Sequence, residues 1–303
     1  MNIPTVDLFY IEYLKKLISC GSSKTDRTNI GGNISIFGTS YHHIIEKKDD
    51  WFINLPFIQS RRFEPKNSFI ELIWMLRGET NIQYLKDRGV NFWDHNTSVE
   101  FLSKNNKSHI VPNTIGKGYG YQMRNFNGID QLSRVYTSLK NYTFSRRHVI
   151  SFWNPSELQD MALEPCHWAY TFVCQKSEDD KIILNLHFNM RSSDFYLGFP
   201  TNIAFSSLWL CLFSKLLKYE LGQVFYTASD VHIYNNQLKK VNLLIEEYKS
   251  KKLSDKNFCS SKPQIRFKKE ITSLDDILNL EWEDIELKDF ITGPKGFGVP
   301  MAI

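Results

Sequence analysis

The chain has 303 residues, 42% of them hydrophobic and 14% aromatic, and carries a formal net charge of +4. Such a length suits one large domain or two small ones with a packed core, and the mild basic excess suits an anionic small substrate but is too weak to argue for a nucleic-acid surface. No window of about 18 apolar residues exists and no charged stretch opens onto an apolar run near Met1, so neither a transmembrane helix nor a signal peptide is expected.

In chain order, Pro4 to Cys20 reads as a helix with Gly21 just beyond it, and Asp26 to Gly38 as a glycine-containing turn running into a short strand. Ser68 to Arg77 is helical and closed by Gly78. Asp94 to Gly118, rich in Asn, Ser, Lys and Gly, reads as a surface insertion or mobile loop. Val149–Phe152 and Tyr170–Gln175 read as strands. In Leu184–Arg191 the apolar Leu184, Leu186, Phe188 and Met190 alternate with Asn185, His187, Asn189 and Arg191, which predicts a half-buried strand aiming its polar face into a cleft. Ile203–Lys218 is apolar on most sides and so a central helix, and Leu238–Lys252 is an amphipathic one. Gln264 to Ile303 reads as two strands and a Gly/Pro-rich end. No linker separates two halves, so the prediction is one α+β domain over 1–303, a mixed β-sheet packed with helices.

The five cysteines are odd in number and irregularly spaced, with no Cys-x-x-Cys pair. This predicts free thiols in a reducing cytoplasm, without a disulfide framework or metal site. Cys166, between Pro165 and His167 and between two strands, is placed as a rigidly aimed thiol. A half-buried structural cysteine is the plainer alternative, and reactivity demands a nearby cation. Arg146-Arg147 and Arg191 stand at strand ends beside Ser145 and Ser192, and Arg27 in a turn. These are either solvated surface or a phosphate clamp. Alternation puts Asp230, His232 and Tyr234 on one strand face, as a structural trio or as a grip on a sugar hydroxyl.

Together these segments resemble thymidylate synthase, over nearly the whole chain. The resemblance rests on Asp26-Arg27-Thr28, Ser35-Ile36-Phe37-Gly38, Glu71-Leu72-Ile73-Trp74, Gly78-Glu79-Thr80-Asn81, Phe92-Trp93-Asp94, Ser145-Arg146-Arg147 and Trp153-Asn154-Pro155. It continues through Met161 to His167, Arg191-Ser192-Ser193-Asp194, Leu197-Gly198, Asn202-Ile203-Ala204, Asp230 to Tyr234 and the terminal Pro300-Met301-Ala302-Ile303.

The resemblance implies that Cys166 adds to C6 of a pyrimidine nucleoside monophosphate and so makes C5 a nucleophile toward 5,10-methylenetetrahydrofolate. It implies that Glu71 moves protons through water, that Tyr119 assists removal of the C5 proton, and that Arg191, Ser192 and Arg27 bind the 5′-phosphate. Arg191 is also implied to favour the thiolate. Arg146 and Arg147 are implied to reach that phosphate from the second subunit of a homodimer. His232 and Tyr234 would hold the ribose 3′-hydroxyl and Asn202 the O4/N3 edge of the base. Asp194 would bind the pterin, and Trp93, Leu197, Gly198 and Ile303 would wall the folate site, with residues 298–303 closing it. The sequence departs from the family at Asn96, Thr171, Met190, Thr201, Ser229 and Gln237. Methylation of dUMP is the expected reaction. Hydroxymethylation of CMP, dCMP or dUMP is the alternative, and a non-catalytic nucleotide- or RNA-binding paralogue a more distant one. No metal, membrane or DNA is expected to take part.

Overall fold

A computed structural model describes residues 5–25, 28, 31–48 and 52–296. Helix α1 (Val6–Cys20) is capped by Thr5, whose Oγ1 accepts the Leu8 N–H at 3.3 Å. Strands β1 (Ser22–Lys24) and β2 (Asn33–Ile44) follow as an antiparallel pair. The chain enters β2 through Gly31 and Gly32, with φ of 79° and 93°. A Cβ on Gly32 would sit 2.4 Å from the Lys24 carbonyl oxygen, so only glycine fits. Strand β2 runs well past Gly38, where a short strand was expected, because it pairs with β7 as far as Ile44.

Next come β3 (Ile53–Asn54), α2 (Pro65–Leu76), α3 (Gln83–Lys86), α4 (Val99–Lys104), α5 (Tyr119–Asn125) and α6 (Gln131–Asn141). Then follow β4 (Val149–Ser151), β5 (His167–Lys176), β6 (Ile182–Asp194), α7 (Gly198–Leu217) and β7 (Glu220–Tyr234). The last described elements are α8 (Leu238–Ser254), β8 (Gln264–Phe267), α9 (Leu274–Leu278) and β9 (Ile285–Lys288).

Six strands form one sheet in the order β1-β2-β7-β6-β5-β4, and β3, β8 and β9 form a small second one. Within the large sheet β6 and β7 are parallel and the other neighbours antiparallel. A parallel pair needs a long crossover, and α7 supplies it, packing on β6, β7 and α2. Its apolar surface is buried almost all round, and Ser206 and Ser207 return their hydroxyls to the carbonyls of Asn202 and Ile203 at 2.8 and 2.7 Å. The arrangement is the expected α+β fold with a mixed sheet.

The two faces of the sheet differ. Leu184, Leu186, Phe188 and Met190 of β6 point into the core. Tyr170 and Phe172 of β5 lie against Trp209 and Phe213 of α7. Truncating a ring such as Trp209 to alanine would cost about 3–5 kcal/mol. The polar set Asn185, His187 and Asn189 does not line a cleft, as expected from alternation. It lies on the other face beside Thr171, Val173, Phe225 and Thr227, its register partners. Nothing among the described residues stacks a helix there, and Val173, Val149 and Ile44 stay 42%, 44% and 51% exposed.

The segment 94–118, expected as an insertion loop, holds α4 and buries Asn96, Thr97, Lys107, Ile110 and Ile115. It is stapled to the stretch before Cys166 by a Gly116–Met161 bridge and by the Ala162 N–H to the Ile115 carbonyl at 3.1 Å.

Candidate active site

Cys166 is half-buried just before β5, and its backbone is tied on both sides. Its N–H donates to the Tyr119 hydroxyl at 2.8 Å, and its carbonyl accepts the Arg191 N–H at 2.9 Å. The guanidinium of Arg191 folds back on the same loop. Nε donates to the Pro165 carbonyl and Nη2 to the Glu164 carbonyl, both at 2.9 Å, and the cation lies 5.5 Å from the centre of the Trp153 ring. A cation fixed to the two backbone carbonyls that precede a cysteine is an environment that favours a thiolate.

Tyr119 opens α5. That helix packs on the turn after α2 because residue 120 is glycine, where a Cβ would come within 2.1 Å of the Glu79 carbonyl oxygen. The Tyr119 ring stacks on His167 with centroids 4.3 Å apart and meets Trp93 edge-on at 5.8 Å. Burial holds its hydroxyl protonated, well above the usual phenol range. His167 is likewise kept neutral, pushed down to about 3 by burial, with Nδ1 2.9 Å from the Tyr170 hydroxyl.

Glu71, on α2, takes one hydrogen bond from Trp93 Nε1 to Oε1 at 2.9 Å. Burial raises its carboxyl to about 7, where it can both give and take a proton at neutral pH. Asn202, in the first turns of α7, points its Nδ2 at the Met190 sulfur, 3.8 Å away. Gly198 opens the same helix, close enough that a Cβ there would meet the Asn202 amide at 3.5 Å.

A second cluster stands at the far end of β6 and β7. Asp194 is half-buried, and desolvation of its carboxyl raises its pKa. Its Oδ1 accepts the Leu197 N–H at 3.0 Å and its Oδ2 the Gln237 amide at 2.9 Å. The other end of that amide, Oε1, accepts the Tyr234 N–H at 3.0 Å. His232 and Tyr234 share a face, as the alternation required, with rings 4.9 Å apart. His232 Nδ1 lies 3.1 Å from Asp230, and this bond, with the contact from Lys24, holds the Asp230 carboxyl well below the usual range. Ser192 is half-buried opposite Asp230.

The β5–β6–β7 ends thus gather Cys166, Arg191, Ser192, Asp194, His232 and Tyr234, while α2, α5 and the start of α7 bring Glu71, Tyr119, Leu197, Gly198 and Asn202, and the turn between α3 and α4 brings Trp93. Arg146 and Arg147 are not in this group. They are exposed next to β4 and line a groove of about 1200 Å³ with exposed Tyr142 and Phe144. Arg27 and Ile303 lie outside the described residues, as does the tail 298–303. Sequence reasoning assigned no role to His167, Tyr170, Trp153 or Lys107. The position of His167 beside Cys166 was a usable signal, but the others gave none, because their contacts cross between distant segments.

Each oxygen of Asp194 takes one N–H and keeps a second lone pair, the acceptor chemistry that a polar N–H edge of a flat ring such as a pterin requires. Among the described residues no group of three or more His, Cys, Asp or Glu side chains could hold a metal ion, and no helix is long and apolar enough to cross a membrane.

Residues 8–303 match the family model described as thymidylate synthase. The chain is 33% identical over 302 residues to the thymidylate synthase of Mycoplasma mobile, covering 94% of this chain and 96% of that one. It is 31% identical to the enzyme of the same name from Mycoplasma pneumoniae, covering 93% and 95% of the two chains. Against that of Mycoplasma genitalium it is 34% identical over 251 residues, covering 77% and 83%.

Proposed function

Since the chain belongs to the thymidylate synthase family, we propose that it methylates C5 of dUMP to give dTMP, with Cys166 as the nucleophile. The family is one of folate-dependent one-carbon transferases, and 5,10-methylenetetrahydrofolate is its co-substrate. The observation that carries the reading is the half-buried cysteine whose two preceding carbonyls hold an arginine, linked through Tyr119 and Trp93 to a carboxyl titrating near 7.

The Cys166 sulfur bonds to C6 of the base, and the C5–C6 π pair moves onto C5 and O4. Arg191, whose charge is fixed beside the thiol, favours the thiolate form and, with Ser192 and Arg27, receives the 5′-phosphate. Asn202 matches the O4 acceptor and N3 donor of uracil, and His232 and Tyr234 hold the 3′-hydroxyl. When bound, 5,10-methylenetetrahydrofolate supplies the methylene carbon and then a hydride, leaving dihydrofolate. Asp194, Trp93, Leu197, Gly198 and Ile303 form its site. Glu71 passes protons at O4 through water, and Tyr119 orders the acceptor of the C5 proton. Loss of that proton, with cleavage of the bond between the methylene carbon and the folate nitrogen, precedes the hydride, and departure of the sulfur from C6 as the C5–C6 double bond re-forms completes the turnover.

The shared name of the relatives gives hydroxymethylation no support. Water exclusion decides between the two products, and residues 298–303 act as the closing tail of a single catalytic domain, 1–303. The five free thiols fit the cytoplasm. The open sheet face, with its exposed Val149, Val173 and Ile44, fits a twofold homodimer in which Arg146 and Arg147 reach the partner's phosphate site.

One incubation tests the reading. Purified protein is mixed with methylenetetrahydrofolate and each of dUMP, UMP, dCMP and CMP, products are identified by mass, and dihydrofolate is followed by absorbance. dTMP and dihydrofolate from dUMP are the expected products. A hydroxymethyl product without dihydrofolate, or faster turnover of a cytosine nucleotide, would overturn it.

A further inference from the structure

Lys107 is among the least exposed lysines a surface segment can hold, at 5% exposure, and it faces the nucleophile loop. Its ammonium donates to the Met161 carbonyl at 2.7 Å and to Glu164 Oε1 at 2.6 Å. The turn after α4 presents it, and Leu102 and Ile110 pack on Ala162 to hold the two segments together. Glu164 is thereby pinned two residues before Cys166. The backbone carbonyl of the same residue already accepts Nη2 of Arg191. A carboxylate thus stands in the field of the arginine assigned to the thiol and the phosphate. Burial alone would push that carboxyl up, but the Lys107 bond outweighs it and, with Arg191 nearby, keeps it below the usual range.

We propose that Lys107 is a positioning residue that neutralises Glu164 and keeps its carboxylate off Arg191, leaving that guanidinium free to act on the Cys166 sulfur and the substrate phosphate. The proposal rests on the roles given above to Cys166 and Arg191. With Lys107 gone, the cation whose field already reaches the Glu164 carboxylate is Arg191, the guanidinium that its own carbonyl holds. Arg–carboxylate pairing is strong and planar, so it competes directly with phosphate and withdraws positive charge from the thiol. Among the described residues, the titratable groups near Cys166 also include the Tyr119 hydroxyl on its N–H and His167 next in sequence, both uncharged at neutral pH by burial.

The test is the pH dependence of Cys166 alkylation by iodoacetamide in the full-length protein, followed by peptide mass mapping so that Cys20 and Cys259 do not interfere. In Lys107→Met the midpoint should rise by about one unit, which is about tenfold slower alkylation at pH 7. KM for dUMP should rise several-fold more than kcat falls. Lys107→Arg should behave as wild type, and Lys107→Met/Glu164→Gln should restore the wild-type midpoint. An unchanged midpoint in folded Lys107→Met, or a shift that persists in the double variant, overturns the proposal, since Lys107 would then only pack. Glu164→Gln alone provides an arm that does not depend on Lys107→Met folding: its midpoint should stay or fall, and a rise refutes the inference. Alkylation needs no substrate, so an enzyme that fails to turn over dUMP would refute the proposed reaction without touching this result.

Discussion

The two faces of the central sheet are built from the same alternating strands and end up with opposite characters. On the covered face, Tyr170, Phe172, Phe188 and Met190 are sealed under α7, and the loop that leads into this face carries Cys166. On the open face, His187 bonds Thr227 and Thr227 bonds Asn189, while Val149 and Val173 remain exposed and Arg146 and Arg147 border the edge. The difference lies in who supplies the partner groups. In the pocket the Tyr119 hydroxyl, the Arg191 guanidinium and the Glu71 and Asp194 carboxyls all have hydrogen-bond partners within the chain, which sets their positions before any ligand arrives. The open face leaves apolar area and Arg146 and Arg147 exposed, and it is the surface that the proposed second copy would cover.

The largest effect expected is on the covered side. Cys166→Ser should abolish turnover while leaving dUMP binding intact, since a hydroxyl is a far poorer nucleophile at neutral pH. Steady-state kinetics checks this. If more than about a hundredth of the activity survives, general acid–base help alone accounts for it and covalent catalysis is wrong.

Next in size, Asn202→Asp should move preference from dUMP toward dCMP. An aspartic acid can donate to N3 and accept from N4, and a mismatched buried hydrogen bond costs about 1–3 kcal/mol, a shift of tenfold or more in relative kcat/KM. An unchanged ratio would mean that the amide, whose Nδ2 points at the Met190 sulfur, does not read the base.

The open face is tested by subunit mixing. Equal amounts of inactive Cys166→Ser and Arg146→Ala/Arg147→Ala chains should, after exchange, recover roughly a quarter of the sites, because half the dimers are mixed and each mixed dimer holds one intact site. A fully active monomer in sedimentation would break the contrast between the faces.

The smallest effect is on stability. The Glu71 carboxyl titrates at about 7 against an ordinary 4.5. Between those values the folded protein keeps a proton that the unfolded chain releases, so stability falls as pH rises through this window, by at most about 3 kcal/mol. Glu71→Gln keeps an acceptor for Trp93 and removes that fall. It should therefore raise Tm by a few degrees at pH 8 and change little near pH 4.5, by differential scanning fluorimetry. A gain of equal size at both pH values would show that burial of the carboxyl is not its origin.

Local patterns carried much of this molecule. Period-two alternation was enough for β6 and for the shared face of Asp230, His232 and Tyr234, and apolar residues on every side were enough to make α7 central. Those properties depend on spacings within one segment, which is why they could be read directly. The same alternation did not say which face of β6 meets a helix, and the expectation that Asn185, His187 and Asn189 line a cleft was wrong for that reason. A strand has two equivalent sides until something packs on one. Likewise, a lysine in an Asn- and Ser-rich stretch reads as surface. That Lys107 is buried against Glu164 depends on two segments more than fifty residues apart coming together. The residue types needed for the chemistry were present in the sequence, and the resemblance ordered them. Tertiary packing alone decided the raised Glu71, the neutral His167 and the arginine held beside the thiol, because desolvation and hydrogen bonding between distant segments have no counterpart in local spacing.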